Sequence, residues 1–291
     1  MFYSLILILA TLMATGKSLL CKAIGGGSTT KREQLIINLK AFFVAFLCSL
    51  LFACTELDKL FTISSFSHIL SIFFGLSVSL TQLLQTRAMG TGPASTVTLI
   101  YSCGFLIPIF YGVAFWDERI SVFQWIGVIL LVPSLALSIG KKEKSITLKW
   151  IPFALLAMLG SGANAIFQKT HQYSEFSNEI SLFLVCCLFY STVFTALACL
   201  LVKPEVREKK QGARQRILLP LCQGAFVGSL NFLNLMLSGK IPSVIQFPVY
   251  NVGSMLLISI LSAVIYKEKT TKIQWLGFFI GIIAILVIGL L

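Results

Sequence analysis

Three polar positions recur in register along this 291-residue chain, and they carry the side chains best suited to hold a ligand. At an offset of 149 residues, Gln82 and Gln85 fall on Asn231 and Asn234, and Tyr101 falls on Tyr250. Positions three apart share one face of a helix, so each half presents an amide pair and a nearby phenol. Amides both donate and accept, and a tyrosine offers an apolar face with a polar tip, a combination that suits a small polar, zwitterionic or cationic metabolite. The same groups would equally serve as interhelical glue, at about 0.6 kcal/mol per contact. Lys17 lies inside an apolar run and either snorkels to the interface or attracts a substrate carboxylate or phosphate. An offset of 147 sets it opposite Asn164. Gly16-Lys17-Ser18 is no phosphate loop, because the upstream glycine and the preceding strand are both missing.

Other chemistry is expected to be absent. The eleven carboxylates all fall in loops or at helix ends, leaving no buried acid to exchange a proton for a cation. Cation recognition would then rest on the faces of Tyr101 and Tyr250. The eight cysteines have no zinc-type spacing, so neither metal nor other cofactor is expected. His68 and His171 stand at helix ends and receive no role. Without a buried Ser/His, Asp/Asp or metal-ligand group, the chain is not expected to be an enzyme.

The elements that must position these groups are membrane spans. With 57% hydrophobic and 12% charged residues, the chain is too apolar for a soluble protein of its length. Ten runs approach the ~20 residues needed to cross a bilayer: Phe2–Cys21, Leu35–Cys54, His68–Thr86, Ala94–Phe115, Ile120–Gly140, Trp150–Phe167, Asn178–Val202, Ile217–Leu237, Ile241–Tyr266 and Ile273–Leu291. Continuous runs of this kind are helices rather than alternating barrel strands, so the fold class is all-α integral membrane. The first run has no basic leader and carries Lys17, so it is read as helix 1 rather than a signal peptide. The net charge of +12 sits in flanking loops, not in a basic, aromatic-studded patch, and excludes nucleic acid as a partner. The expected partners are a small-molecule substrate and the lipid bilayer, with the oligomeric state unassigned. Of 22 loop lysines and arginines, 18 fall on one side, which the positive-inside rule makes cytoplasmic, with both termini outside.

The halves are related throughout. At offset 149, Gly75, Gly90, Pro93 and Gly104 match Gly224, Gly239, Pro242 and Gly253, and at offset 150, Glu118, Gln124, Trp125 and Gly127 match Glu268, Gln274, Trp275 and Gly277. Five helices per half is an odd number, so the second copy enters the membrane from the opposite side: residues 1–146 and 147–291 form two inverted repeats. A glutamate after helix 4 or 9, followed by Gln-Trp-hydrophobic-Gly opening helix 5 or 10, resembles the EamA repeat of the drug/metabolite transporter superfamily. Pro248 also matches a proline common in that family, where helix 4 has Leu99. The resemblance implies a basket of ten helices around a cavity lined by helices 1, 3, 4, 6, 8 and 9, with 5 and 10 peripheral and the Glu and Gln-Trp residues marking helix boundaries. It also implies a secondary transporter of a small polar metabolite, amino-acid-like or an amine, across a bacterial cytoplasmic membrane. Larger members keep both termini inside, opposite to the charge bias. The alternatives are a flippase for a lipid-linked sugar and a membrane scaffold.

Overall fold

A computed structural model of the chain describes residues 2–25, 30–91, 97, 100–137, 150–203, 217–265 and 271–290. Its helices are α1 (Phe2–Gly25), α2 (Lys31–Phe52), α3 (Ser65–Thr91), α4 (Leu106–Phe115, continuing a 3-10 turn at Cys103–Phe105), α5 (Val122–Leu137), α6 (Ile151–Gln172), α7 (Ile180–Leu201), α8 (Leu219–Ser238), α9 (Ser243–Ile265) and α10 (Lys272–Leu290). No strand occurs among the described residues. Six helices are long and apolar enough to cross a membrane, and four shorter apolar ones complete the ten. The protein is therefore an all-helical integral membrane protein. The boundary near residue 146 lies outside the described residues.

Neighbours follow the repeat. Helix α3 packs against α6 as α8 packs against α1, and α7 against α3 as α2 against α8. Helix α4 meets α6 as α9 meets α1, while α5 pairs with α10 and α2 with α7 across the two halves. Repeat-matched glycines make these seams possible. A methyl on Gly75 would stand 2.6 Å from Tyr190 Cβ, and one on Gly224 would stand 2.5 Å from the Ala41 carbonyl oxygen. Both distances are far inside van der Waals contact, so a larger residue would separate α3 from α7 or α8 from α2.

Helices α5 and α10 form a peripheral pair. Gly127 admits the Ile288 side chain, and Ser134 Oγ donates to the Gly277 carbonyl at 2.8 Å. Their outward residues, including Ile126, Ile129, Leu276 and Phe279, are exposed, as hydrocarbon-facing side chains should be. The face of the bundle that carries both chain ends, here the terminal face, also holds the joins α2–α3, α4–α5, α6–α7 and α8–α9.

One expected boundary is corrected. The sixth span does not stop at Phe167 but runs on to Gln172, which draws Lys169 and His171 from the assumed loop into the bundle. Both are fully buried. The hydropathy of a lysine and two amides ended the apolar run on paper, whereas partners inside the fold satisfy them.

Candidate functional site

The repeated Gln-Trp motif builds helix starts. Ser121 N–H donates to Gln124 Oε1 at 3.0 Å, while Gln124 N–H donates to Ser121 Oγ at 3.2 Å. Thr271 and Gln274 repeat this reciprocal pair at 2.8 and 3.3 Å. These are capping boxes, satisfying two of the four orphan donors at each helix start. Gln124 Nε2 also reaches the Ile288 carbonyl at 3.5 Å, and Trp125 packs on Phe110 with ring centroids 5.6 Å apart. Trp275 meets Phe278 at 5.7 Å and is half exposed at the bundle rim. Glu268 lies outside the described residues.

Four of the polar residues singled out from sequence lie on elements that touch: α1 meets both α8 and α9, and the 3-10 turn before α4 meets α9. Tyr250 of α9 packs on the cluster that Ile6, Leu7, Ala10 and Ala14 of α1 form with Leu230 and Leu237 of α8. Asn234 is 7% exposed, whereas Lys17, Tyr101 and Tyr250 are half-buried. Ser102 Oγ donates to Met255 Sδ at 3.8 Å, so the segment that carries Tyr101 meets the helix that carries Tyr250 where the halves join. The remaining amides are distributed differently. Asn231 Oδ1 accepts from Gln168 Nε2 of α6 at 3.0 Å and its own Nδ2 donates to the Val227 carbonyl at 2.9 Å, so Asn231 ties α8 to α6. Gln82 and Gln85 are half-buried on α3, and no hydrogen bond joins them to the α8 pair among the described residues. Asn164, one turn before Gln168, keeps its Oδ1 buried without a hydrogen-bond partner.

The terminal face holds a group that the sequence reading placed elsewhere. Lys169 Nζ forms an ion pair with Glu118 Oε1, donates to Ser243 Oγ at 2.6 Å, and reaches the Ile241 carbonyl at 3.3 Å. Its ammonium sits 5.6 Å from the ring centroids of both Trp116 and Tyr173 and 6.0 Å from that of Phe247, within cation–π range. Glu118 Oε2 accepts the backbone N–H of Ser243 at 2.7 Å, placing a carboxylate on the N-terminus of α9 where the helix dipole favours it. The side chains are 0% and 6% exposed. Two expectations are therefore corrected: Lys169 is not a loop cation, and the molecule does hold a buried acid. Glu118 does stand at a helix boundary, but the turn folds it inward. Asp117 adopts φ 52°, a left-handed conformation that aspartate tolerates better than most residues, and Glu118 N–H returns to the Gly112 carbonyl at 3.1 Å. Tyr173 caps the cluster, donating to Glu118 Oε1 at 3.4 Å. Burial, reinforced by the Glu118 carboxylate, holds its hydroxyl above the usual phenol range and keeps it a donor.

Beside this cluster, His171 Nε2 lies 3.1 Å from Ser67 Oγ, Ser67 and Ser64 share a hydrogen bond of 2.8 Å, and Ser64 Oγ donates to Glu179 Oε2 at 2.7 Å. The expectation that no Ser/His pair is buried fails here. Residues 104 positions apart in the chain meet only through the packing of α3 on α6. The imidazole is stacked on Phe183 at 3.9 Å and fully enclosed, and Glu179 also accepts Ser64 N–H at 3.1 Å. The group caps the start of α3 and ties it to α6 and α7.

The sequence reading thus missed Lys169, Gln168, Ser243, Tyr173 and His171. One signal for Lys169 was present, since it matches Lys22 at offset 147. No metal-holding group of His, Cys, Asp and Glu exists among the described residues.

Comparison with known proteins agrees with this architecture. Residues 148–290 match the model of the EamA-like transporter family. A solved crystal structure, described only as "Crystal structure of protein", superposes with a TM-score of 0.79 at 12% identity, over 99% of this chain and 96% of that one. At that identity the likeness concerns the fold alone. No curated protein matches the sequence.

Proposed function

We propose, from the match of residues 148–290 to the EamA-like transporter family, that the chain is a secondary transporter that moves a small polar metabolite by alternating access, and not an enzyme. What supports this reading is that the two halves contribute Lys17, Tyr101, Asn234 and Tyr250 on helices that touch one another. A cation, two phenols and an amide there can hold a carboxylate at one end of a zwitterion and face its ammonium with aromatic rings at the other. Buried ionisable and polar groups in a membrane protein are costly, and a pathway is the usual reason for keeping them.

Burial along the bundle supports alternating access. At the terminal face Lys169, His171, Ser238, Ser243 and Gln246 are all fully buried, whereas Lys17, Gln85, Tyr101 and Tyr250 are half-buried deeper in. This arrangement matches a state closed at the terminal face, with Lys169 and Glu118 joining α6 to the start of α9. By the charge bias, that face is the outer side of a bacterial cytoplasmic membrane.

The test is a thermal-shift screen of purified protein against amino acids, amines and nucleosides, followed by Gln85→Ala, Tyr250→Phe and Gln124→Ala. Only a molecule that binds the native state raises the melting temperature. Losing one polar partner should weaken binding by roughly 5- to 150-fold for Gln85→Ala and Tyr250→Phe. Gln124→Ala, on peripheral α5, should retain parental affinity. Equal affinity in all three folded variants would remove the central residues from the site.

A further inference from the structure

The two lateral seams that the repeat makes equivalent, α8 with α1 and α3 with α6, are filled differently. In the first, the ring of Phe226 covers Gly16, its Cε1 2.9 Å from where a methyl on Gly16 would sit. At offset 149 Phe226 corresponds to Ser77, and at offset 147 Gly16 corresponds to Ala163. Ser77 and Ala163 face a groove of about 360 Å³ between α3 and α6. An aromatic side chain present in one repeat is missing from the other, and the volume it would occupy is left open.

The groove's position says what fills it. At its rim, Leu80, Leu156 and Leu159 are 50%, 50% and 52% exposed, so its mouth is on the outer surface of the bundle. That surface lies within the spans Ser65–Gln85 and Ile151–Gln172, at hydrocarbon depth. Thr81 packs directly on Gly160, so the two helices touch and close the groove from behind. Ser77 and Thr81 carry the only polar side chains among the lining residues and the other six are aliphatic or glycine, a surface that favours hydrocarbon over water. The volume falls within the ~300–1,000 Å³ of small-molecule sites, and a seam running along two helices suits a linear chain better than a ring.

We propose that the α3–α6 seam is a binding site for one acyl chain of a membrane lipid, which takes on this side the place that Phe226 takes on the other. Helix α3 belongs to the first half and α6 to the second, so the chain bridges the two bodies that must move against each other. A lipid that fits one arrangement of α3 and α6 better than another shifts the equilibrium between them by that difference. This inference holds whichever polar molecule is carried.

The experiment uses the full chain in nanodiscs containing a phosphatidylcholine with a diazirine on one acyl chain. After illumination, adducts are mapped by mass spectrometry. Adducts should concentrate on residues 77–84 and 156–163, exceeding those on the exposed face of α5 by roughly fivefold or more if the chain is held rather than merely adjacent. Ser77→Phe should bring that yield down to the α5 level while leaving the melting temperature unchanged or higher. Phe226→Ser should create a second labelled patch on α1 and α8. Ser77→Leu, a smaller filler, decides the matter if the phenylalanine variant does not fold. Uniform labelling of all outward faces, or an undiminished yield in a folded Ser77 variant, would overturn the proposal.

Discussion

At the residue scale, the ion pair of Lys169 and Glu118 dominates the terminal face. Two charges removed from water are costly, and here the cost is met by near-complete hydrogen bonding: Glu118 receives Lys169, Ser243 N–H and Oγ, and Tyr173, while Lys169 adds Ser243 Oγ and a backbone carbonyl. Removing one partner strands the other charge. We therefore expect Lys169→Met and Glu118→Gln each to lower stability by about 3–5 kcal/mol, and the double variant by clearly less than the sum. Denaturation of the purified variants in detergent measures the cycle. Additive losses would show that the two side chains do not act as a pair. This pairing was not legible in the sequence, because 51 residues separate the partners and each looked like a helix-end residue in its own loop. That the segments carrying Tyr101 and Tyr250 touch was foreshadowed by their shared offset, since inverted repeats bring matched helices toward a common axis.

At the element scale, the motif shared by the two halves is a set of helix starts and close approaches. Ser121 with Gln124, and Thr271 with Gln274, cap α5 and α10; Thr30 with Glu33 does the same for α2. A cap of this kind contributes about 1 kcal/mol, so Ser121→Ala and Thr271→Ala should each lower stability by about that amount. Because α5 and α10 lie at the periphery, ligand affinity in the thermal-shift assay should be unchanged. A loss of affinity in a folded capping variant would place α5 or α10 in the binding machinery. Helix existence was legible throughout, since apolar runs of this length have no other solution in a bilayer. Helix ends were less so. The extension of α6 to Gln172 depends on Glu118 and Ser67 waiting at its far end for Lys169 and His171.

At the scale of the whole molecule, an even number of helices puts both termini on one face, the face at which Lys169, His171, Ser238 and Ser243 are buried. The sequence count put 18 of 22 loop basic residues on the other face; Lys40, inside α2, leaves that set and the buried Lys169 leaves the sparse one, so 17 stand against 3. The asymmetry persists. A fluorescent protein that matures only in the cytoplasm, fused after Leu291, should therefore stay dark in cells. Bright fluorescence would put the terminal face inside and reverse the orientation proposed from the charge bias.

What the sequence determined by itself was the solvent and the all-helical class, and it carried the register from which two inverted repeats are inferred. Hydropathy depends on composition within a single run, and a repeat is visible as register, so neither requires knowing which helices touch. The same register marked Gln82, Gln85, Asn231, Asn234, Tyr101 and Tyr250 as candidate ligand groups, and a second offset set Lys17 opposite Asn164. Tertiary structure decided which polar residues satisfy one another. It gave Asn231 to Gln168, Lys169 to Glu118 and His171 to Ser67, and it left a groove where Ser77 replaces the aromatic of the other half. The physical reason is that a buried donor or acceptor in a bilayer must find its partner within the protein, and that partner is chosen by distance in space, which a linear chain does not record.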